Sequence, residues 1–221
     1  MTTAQPIRFA TADQGEETAR ADLYGLLAAL FAAPASLALL ESIAAAPAAG
    51  EGVLDQSWRA LTDAALLLRD DPRGGGEAAR DEYERLFIGI GKPEVMLYGS
   101  FYLSGFLMEK PLAALRTDLA QLGLERADDV VESEDHIASL CEVMRYLIAF
   151  DADEASDKGA PPLDEDAQLA LQKKFFGVHM QPWVGEMCGA LIRHPQSRFY
   201  RAVAVLAQKF FDVEAQAFDM D

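Results

Sequence analysis

An all-α fold is predicted by three features of the chain. Apolar side chains recur at helical spacing from one end to the other, no segment alternates apolar and polar residues with β-branched enrichment, and prolines and glycines fall where helices would begin or end. At 221 residues with 51% hydrophobic content the chain can bury a sizeable core. The expected architecture is a single globular multi-helix bundle with a larger N-terminal and a smaller C-terminal helical part. No internal repeat of fixed period is found.

The elements follow in order. Leu23, Leu27, Leu30 and Phe31 share one helix face, Pro34 stops that helix, and Ser36 can cap a second one running towards Pro47. Asp55 can cap a third, in which Trp58, Leu61, Ala65 and Leu68 form a stripe. The run Asp70-Asp71-Pro72-Arg73-Gly74-Gly75-Gly76 reads as a loop, and the next helix carries Glu82 to Phe87 and ends near Gly89 and Gly91. Pro111 suits the first turn of a helix with Leu112, Leu115, Leu119 and Leu122 on its apolar side and Gly123 at its end. Another is expected to start near Ser133 and to bury Ile137, Leu140, Met144, Leu147 and Ile148, which places Asp135 and His136 in its first turn.

Residues 151–166 are acidic, contain Pro161-Pro162 and have hardly any large apolar side chain, so they read as a linker. The expected organisation is a flexible N-terminus over 1–15, an N-terminal helical part over 16–150, this linker, and a C-terminal helical part over 167–221. In the last part Leu169 to Phe176 is helical, Pro182 opens a helix through Met187 and Leu191, and His194-Pro195 closes it. Ser197 can cap the final helix, whose stripe is Phe199, Val203, Leu206 and Phe210.

Charge narrows the function classes. Thirty-six acidic against nineteen basic residues give a formal charge of −17, which disfavours a nucleic-acid backbone and attracts cationic partners. The first residues lack the basic and apolar regions of a secretory signal, and no apolar run is long enough to span a bilayer, so cytoplasmic residence without membrane insertion is the expectation. Cys141 and Cys188 sit in amphipathic segments and read as buried reduced thiols.

Gly89-Ile90-Gly91-Lys92-Pro93 superficially suggests a phosphate loop. It lacks the longer glycine spacing and carries Pro93 where a magnesium-binding hydroxyl would stand, so it reads as a plain turn. Glu132-Ser133-Glu134-Asp135-His136 crowds three carboxylates and a histidine at a helix start. Three histidines in the whole chain and no His-Glu-x-x-His spacing argue against a metal site. The acids alone are explained by a helix dipole, worth ~0.3–1 kcal/mol each, but an imidazolium is disfavoured there unless carboxylates hold it.

Glu-x-x-Asp-His-Ile at 132–137 resembles the motif of the TorD/DmsD/NarJ-type chaperones that mature twin-arginine-exported redox enzymes, with Ser133 where the usual form has proline. Tyr83-Glu84-Arg85-Leu86-Phe87 looks like the same family's Tyr-x-x-Leu-Phe segment, followed by a glycine-containing loop with Gly89 and by Tyr98-Gly99-Ser100. His179, Pro182 and Trp183 resemble a weaker C-terminal element. The Ser133 exchange replaces a helix-starting residue by a capping one, so the backbone role is expected to survive.

The resemblance implies a TorD-like bundle and a cytoplasmic, non-catalytic chaperone. It would bind the twin-arginine signal peptide and the body of a molybdenum-dependent oxidoreductase subunit, and assist cofactor insertion before export. Implied signal-peptide-binding residues are Glu132, Glu134, Asp135, His136, Tyr98, Ser100 and Trp183, while Tyr83, Leu86, Phe87, Gly89, His179 and Pro182 are implied to be structural. No metal and no cofactor of its own is expected, since molybdopterin belongs to the client. A basic leader followed by an apolar stretch needs carboxylates beside an apolar groove, which the region near residue 135 offers. Two rivals are a small all-α enzyme with His136 as general base, oriented by Asp135 or Glu132, and an adaptor for an unrelated basic segment. The family includes domain-swapped dimers, so a monomer with a minor dimer is expected.

Overall fold

A computed structural model describes residues 15–47, 52–128, 130–149 and 165–220. The N-terminus before Gly15 and most of the acidic linker, 151–164, lie outside the described residues, while Glu165 and Asp166 already open a helix. Ten α-helices make up the described fold: α1 (Glu16–Ala32), α2 (Leu37–Ala45), α3 (Asp55–Arg69), α4 (Gly75–Tyr83), α5 (Gly99–Ser104), α6 (Lys110–Gln121), α7 (Ile137–Ile148), α8 (Glu165–His179), α9 (Gln181–Arg193) and α10 (Phe199–Met220). Among the described residues the one β pairing is an isolated bridge between Tyr98 and His136.

Helix α1 is the centre. Tyr24, Leu26, Leu27, Leu30 and Phe31 are all fully buried, so apolar residues occupy more than one face, as in a helix surrounded by others. It ends where Ala33 turns extended before Pro34, whose ring disfavours the helical conformation for the residue preceding it. Ser36 caps α2 as the sequence predicts, accepting the Leu39 N–H at 3.2 Å. In α3 the predicted stripe is inward, but Asp55 is the first helical residue rather than the cap, and its carboxylate pairs with Arg59 at 2.8 Å one turn on.

Helix α4 runs on into a π-helical turn over Glu84–Ile88, closed by the Gly89 N–H donating to the Glu84 carbonyl at 2.7 Å. Gly89 sits at φ 64°, and a Cβ there would meet the Lys92 carbonyl oxygen at 2.4 Å, so glycine is required for this tight turn. The segment is thus a turn, as its sequence indicates, and not a phosphate cradle. Tyr83, Leu86 and Phe87 are buried as predicted. The Tyr83 hydroxyl donates to the Phe31 carbonyl at 2.9 Å and that of Tyr200 to the Leu30 carbonyl at 3.0 Å. These are among the carbonyls a helix end leaves unmatched, so Tyr83 closes α1 from a distant segment.

Helix α10, about 33 Å long at 1.5 Å per residue, packs on α3 and α9, and α1 packs on α7. The N- and C-terminal parts contribute to one continuous core, with α7 against α8 and α9 against α5. Ser197 does not cap α10, since its buried Oγ has no partner. Glu82 takes that role, accepting the N–H groups of Arg198 at 2.8 Å, Phe199 at 3.2 Å and Tyr200 at 3.0 Å. A carboxylate satisfies several orphan donors at once and complements the helix dipole, which one serine hydroxyl does less well. Cys141 and Cys188 are buried free thiols.

Candidate functional site

The segment before α7 meets the segment before α5 through backbone hydrogen bonds. Ile137 N–H donates to the Leu97 carbonyl at 2.8 Å and Gly99 N–H to the Asp135 carbonyl at 2.9 Å, which flank the Tyr98–His136 bridge. This knot unites five of the seven implied site residues: Tyr98, Ser100, Glu132, Asp135 and His136. Helix α7 begins at Ile137, four residues later than the sequence suggests, and Ser133 opens a turn instead, its carbonyl accepting the His136 N–H at 3.0 Å. Ser133 is therefore not a helix cap. Its hydroxyl donates to Asp135 Oδ1 at 2.5 Å.

Asp135 and His136 are each only 4% exposed, not first-turn surface groups. Asp135 Oδ2 accepts the Ser100 N–H at 2.8 Å, so the carboxylate closes the N-terminus of α5, whose own preceding residue, Tyr98, supplies no side-chain cap. His136 is the N-cap of α7: its Nδ1 accepts the Ala138 N–H at 3.2 Å. That role needs an unprotonated Nδ1, and burial holds the imidazole below its ordinary pKa despite the opposing charges of Glu132 and Asp135. The histidine that the dipole argument left unexplained is thus a neutral acceptor.

Glu132 is exposed and receives the Tyr98 hydroxyl, while the Tyr98 ring meets His136 edge-on with centroids 5.0 Å apart. Burial, then the Glu132 bond, raises the phenol's pKa, so Tyr98 stays a donor and fixes the carboxylate. Glu134 faces α6, where Arg116 grips it in a two-pronged pair at 3.0 and 2.9 Å. Its burial works against ionisation, but the Arg116 bonds outweigh it and lower the pKa. Glu134 is already neutralised within the chain.

Trp183 is placed in the core at 1% exposure and presents no surface for a peptide. Its Nε1 donates to the His179 carbonyl at 2.7 Å, its ring stacks on Tyr102 at 5.4 Å, and a Cβ on Gly99 would come within 3.0 Å of Nε1. Gly99 therefore lets the knot rest on the indole, a role that no spacing in the sequence announces. His179, buried at the end of α8, pairs with Asp118 of α6 at 2.8 Å, and exposed Pro182 opens α9. Leu103, which shares a small cavity with Ser100 and Asp135 of the knot, and Phe106, Leu107 and Met108 after it are exposed at 42–78%, with Met108 at φ 60°. Methionine and phenylalanine held at a surface suit adaptable apolar contact.

The geometry opposes general-base catalysis. His136 spends its Nδ1 lone pair on a backbone N–H, the Asp135 oxygens are taken by Ser100 and Ser133, and Glu132 accepts from Tyr98 and not from the imidazole. Among the described residues no group of three or more His, Cys, Asp or Glu side chains is placed to hold a metal, and no helix is long and apolar enough to cross a membrane.

A pH dependence follows from the cap. Because folding lowers the His136 pKa, the unfolded chain binds more protons between the folded value and the ordinary ~6.5, so this residue's contribution to stability rises with pH there. It is fully present above that window and is lost as pH falls through the folded pKa. Urea titrations from pH 7.5 to 5 should show His136→Asn, a non-titrating cap, with a shallower loss than the wild type. Identical slopes would mean that His136 does not contribute.

Fold and site together define an all-α bundle that presents one oriented, exposed carboxylate and several exposed apolar side chains. Residues 51–189 match the family model described as nitrate reductase delta subunit, and the chain belongs to that family. It is 25% identical over 176 residues to the chaperone protein TorD of Vibrio cholerae serotype O1 (strain M66-2), covering 77% of this chain and 76% of that one. It is also 27% identical over 217 residues to the chaperone protein TorD of Shewanella loihica (strain ATCC BAA-1088 / PV-4), covering 90% and 92%. The chain is a TorD-type chaperone for redox enzyme maturation and not an enzyme.

Proposed function

We propose that the chain acts in the cytoplasm on a molybdenum-cofactor oxidoreductase subunit, binding its twin-arginine signal peptide and holding it back until the cofactor is inserted. The observation that carries this reading is exposed Glu132, oriented by the Tyr98 hydroxyl in a knot whose Ser100 and Asp135 share a small cavity with the exposed Leu103. A leader has a cationic end followed by an apolar stretch. Arginine pairs with carboxylate through charge-assisted hydrogen bonds, and the apolar part gains from burial that salt does not screen. Asp135 and His136 serve from below by fixing the knot, and Trp183 supports it.

Calorimetric titration with a leader peptide and its Lys-Lys variant tests the reading. The Arg-Arg peptide should bind with a negative heat-capacity change and the Lys-Lys peptide more weakly, since lysine lacks the planar fork. Glu132→Gln should cost about 1.5–3 kcal/mol of binding with an unchanged melting temperature, because Glu132 is exposed. His136→Ala should lower both stability and affinity. Binding abolished by moderate salt would favour an adaptor working by charge alone, and no binding at all would reject the proposal.

A further inference from the structure

A cavity of about 570 Å³ lies between α3, α4 and the segment that enters α10, and it shares no lining residue with the knot. That is the size of a small-molecule site. One wall is apolar, made by Leu67 and Leu68 of α3, Ala78 of α4 and Phe199 of α10, and Leu67 is 79% exposed. The rest is charged, with Arg73, Arg85 and Arg198 against Asp71, Asp81 and Glu82.

The acids of this lining are already spent. Arg73 forks onto Asp71 at 3.0 and 3.1 Å and reaches Asp81 at 2.7 Å, so one guanidinium engages both aspartates. Glu82 gives its two oxygens to the three N–H groups at the start of α10, where the helix dipole offsets its charge. Arg85 and Arg198 are exposed, and among the described residues their guanidinium groups have no hydrogen bond or ion pair. Asp71 is held below the usual carboxylate range chiefly by its bonds from Arg73, and the charge of Arg198 acts on it least.

We infer that this cavity binds a small organic phosphate, with its head on Arg85 and Arg198 and its apolar body against Leu67, Leu68 and Phe199. The site is separate from the knot and does not depend on leader binding. A phosphate monoester, with a second pKa of about 6, is a dianion in neutral solution and matches two free guanidiniums, whereas a carboxylate matches one. Arginine presents a planar fork of donors that suits phosphate oxygens. A chain at −17 repels anions in general, so an anion is held only where free cations outnumber free acids. Covering the exposed Leu67 adds burial that inorganic phosphate cannot supply.

Calorimetric titration of the full chain with phenyl phosphate, inorganic phosphate and benzoate at mildly alkaline pH tests the site. Phenyl phosphate should bind more tightly than either of the others. Arg85→Met and Arg198→Met should each weaken it about tenfold or more, and Leu67→Glu, which adds an acid to the apolar wall, should weaken it too. Melting temperatures of the free variants should stay unchanged, because all three side chains are exposed. Arg80→Met, an exposed cation of α4 outside the cavity, should leave binding as it is. A loss at Arg80→Met equal to that at Arg85→Met would mean attraction by overall charge and overturn the assignment. Inorganic phosphate bound as tightly as phenyl phosphate would mean an adventitious ion only, and benzoate bound as tightly would remove the preference for a dianion; either overturns it. No binding of phenyl phosphate at millimolar concentration rejects the site outright.

Discussion

Replacing Glu82 by alanine should destabilise the protein by about 3 kcal/mol, because it strips the common acceptor from three successive N–H groups at the start of α10. Two of those donors, on Phe199 and Tyr200, lie on buried residues where water cannot replace the carboxylate. Each unsatisfied buried donor costs about 1–3 kcal/mol, and the loss of the carboxylate's favourable interaction with the N-terminal dipole of a 22-residue helix adds to it. For a chain of this size the melting temperature should fall by roughly 6–12 °C. Glu82→Gln keeps one carbonyl acceptor in place and should lose about half as much. Leader affinity should be unaffected in both, since Glu82 serves α10 and not the knot. Thermal and urea denaturation with a parallel peptide titration checks this; an alanine variant as stable as the wild type would show that α10 does not depend on the cap.

Glu82 also marks the boundary of what the sequence makes legible. Helix stripes, Pro34, Ser36, Pro111 and Gly123 act through neighbours within one or two turns, and each stands in the structure where its local chemistry puts it. Caps supplied across the fold are a different matter. Ser197 is a good local candidate for α10, yet the Glu82 carboxylate, 116 residues before the Arg198 it caps, outcompetes it. The start of α7 was displaced for the same reason: Asp135 is drawn to the N-terminus of α5, and the helix starts only after His136. The C-terminus of α7 repeats the pattern, with Gln168 and Gln172 of α8 donating to the Leu147 carbonyl at 3.0 and 3.3 Å.

The candidate site was legible as a set of positions but not as a division of labour. Tyr98, Ser100, Glu132, Asp135 and His136 do converge, whereas only burial and partners separate exposed Glu132 from Asp135, which holds a helix end, and from Glu134, which Arg116 neutralises. Trp183 and Gly99 are coupled through contact alone, and no periodicity encodes it. A receptor for a cationic peptide needs some carboxylates free and others committed, because a loop carrying only uncompensated acids would repel itself open. The local rigidity that orients Glu132 thus comes from its neighbours' structural roles.

A loss at least as large should come from Glu214→Ala in the buried polar cluster that ties α1 to α8 and α10. The Glu214 side chain is 2% exposed and that of Arg20 15%, and they meet in a bidentate pair with both contacts at 2.8 Å. The Tyr24 hydroxyl donates to the same carboxylate at 3.1 Å, and Arg20 reaches Gln172 at 3.2 Å and lies over the Phe218 ring at 5.6 Å. Burial alone would ease deprotonation of Arg20, but the bonds and charge of Glu214 outweigh it and hold the guanidinium above its ordinary pKa. Removing the carboxylate leaves that charge and a buried phenol without their main partner, which costs about 3–5 kcal/mol. The lower end is expected, since Glu17 still pairs with Arg20 at 2.7 Å from the solvent side. Replacing both members with apolar groups, Arg20→Met with Glu214→Leu, removes the desolvation cost together with the attraction. The double variant should therefore be more stable than Glu214→Ala alone. Urea unfolding of the single and double variants measures the coupling directly. If the double variant were the less stable of the two, the unpaired Arg20 charge would not be the source of the loss.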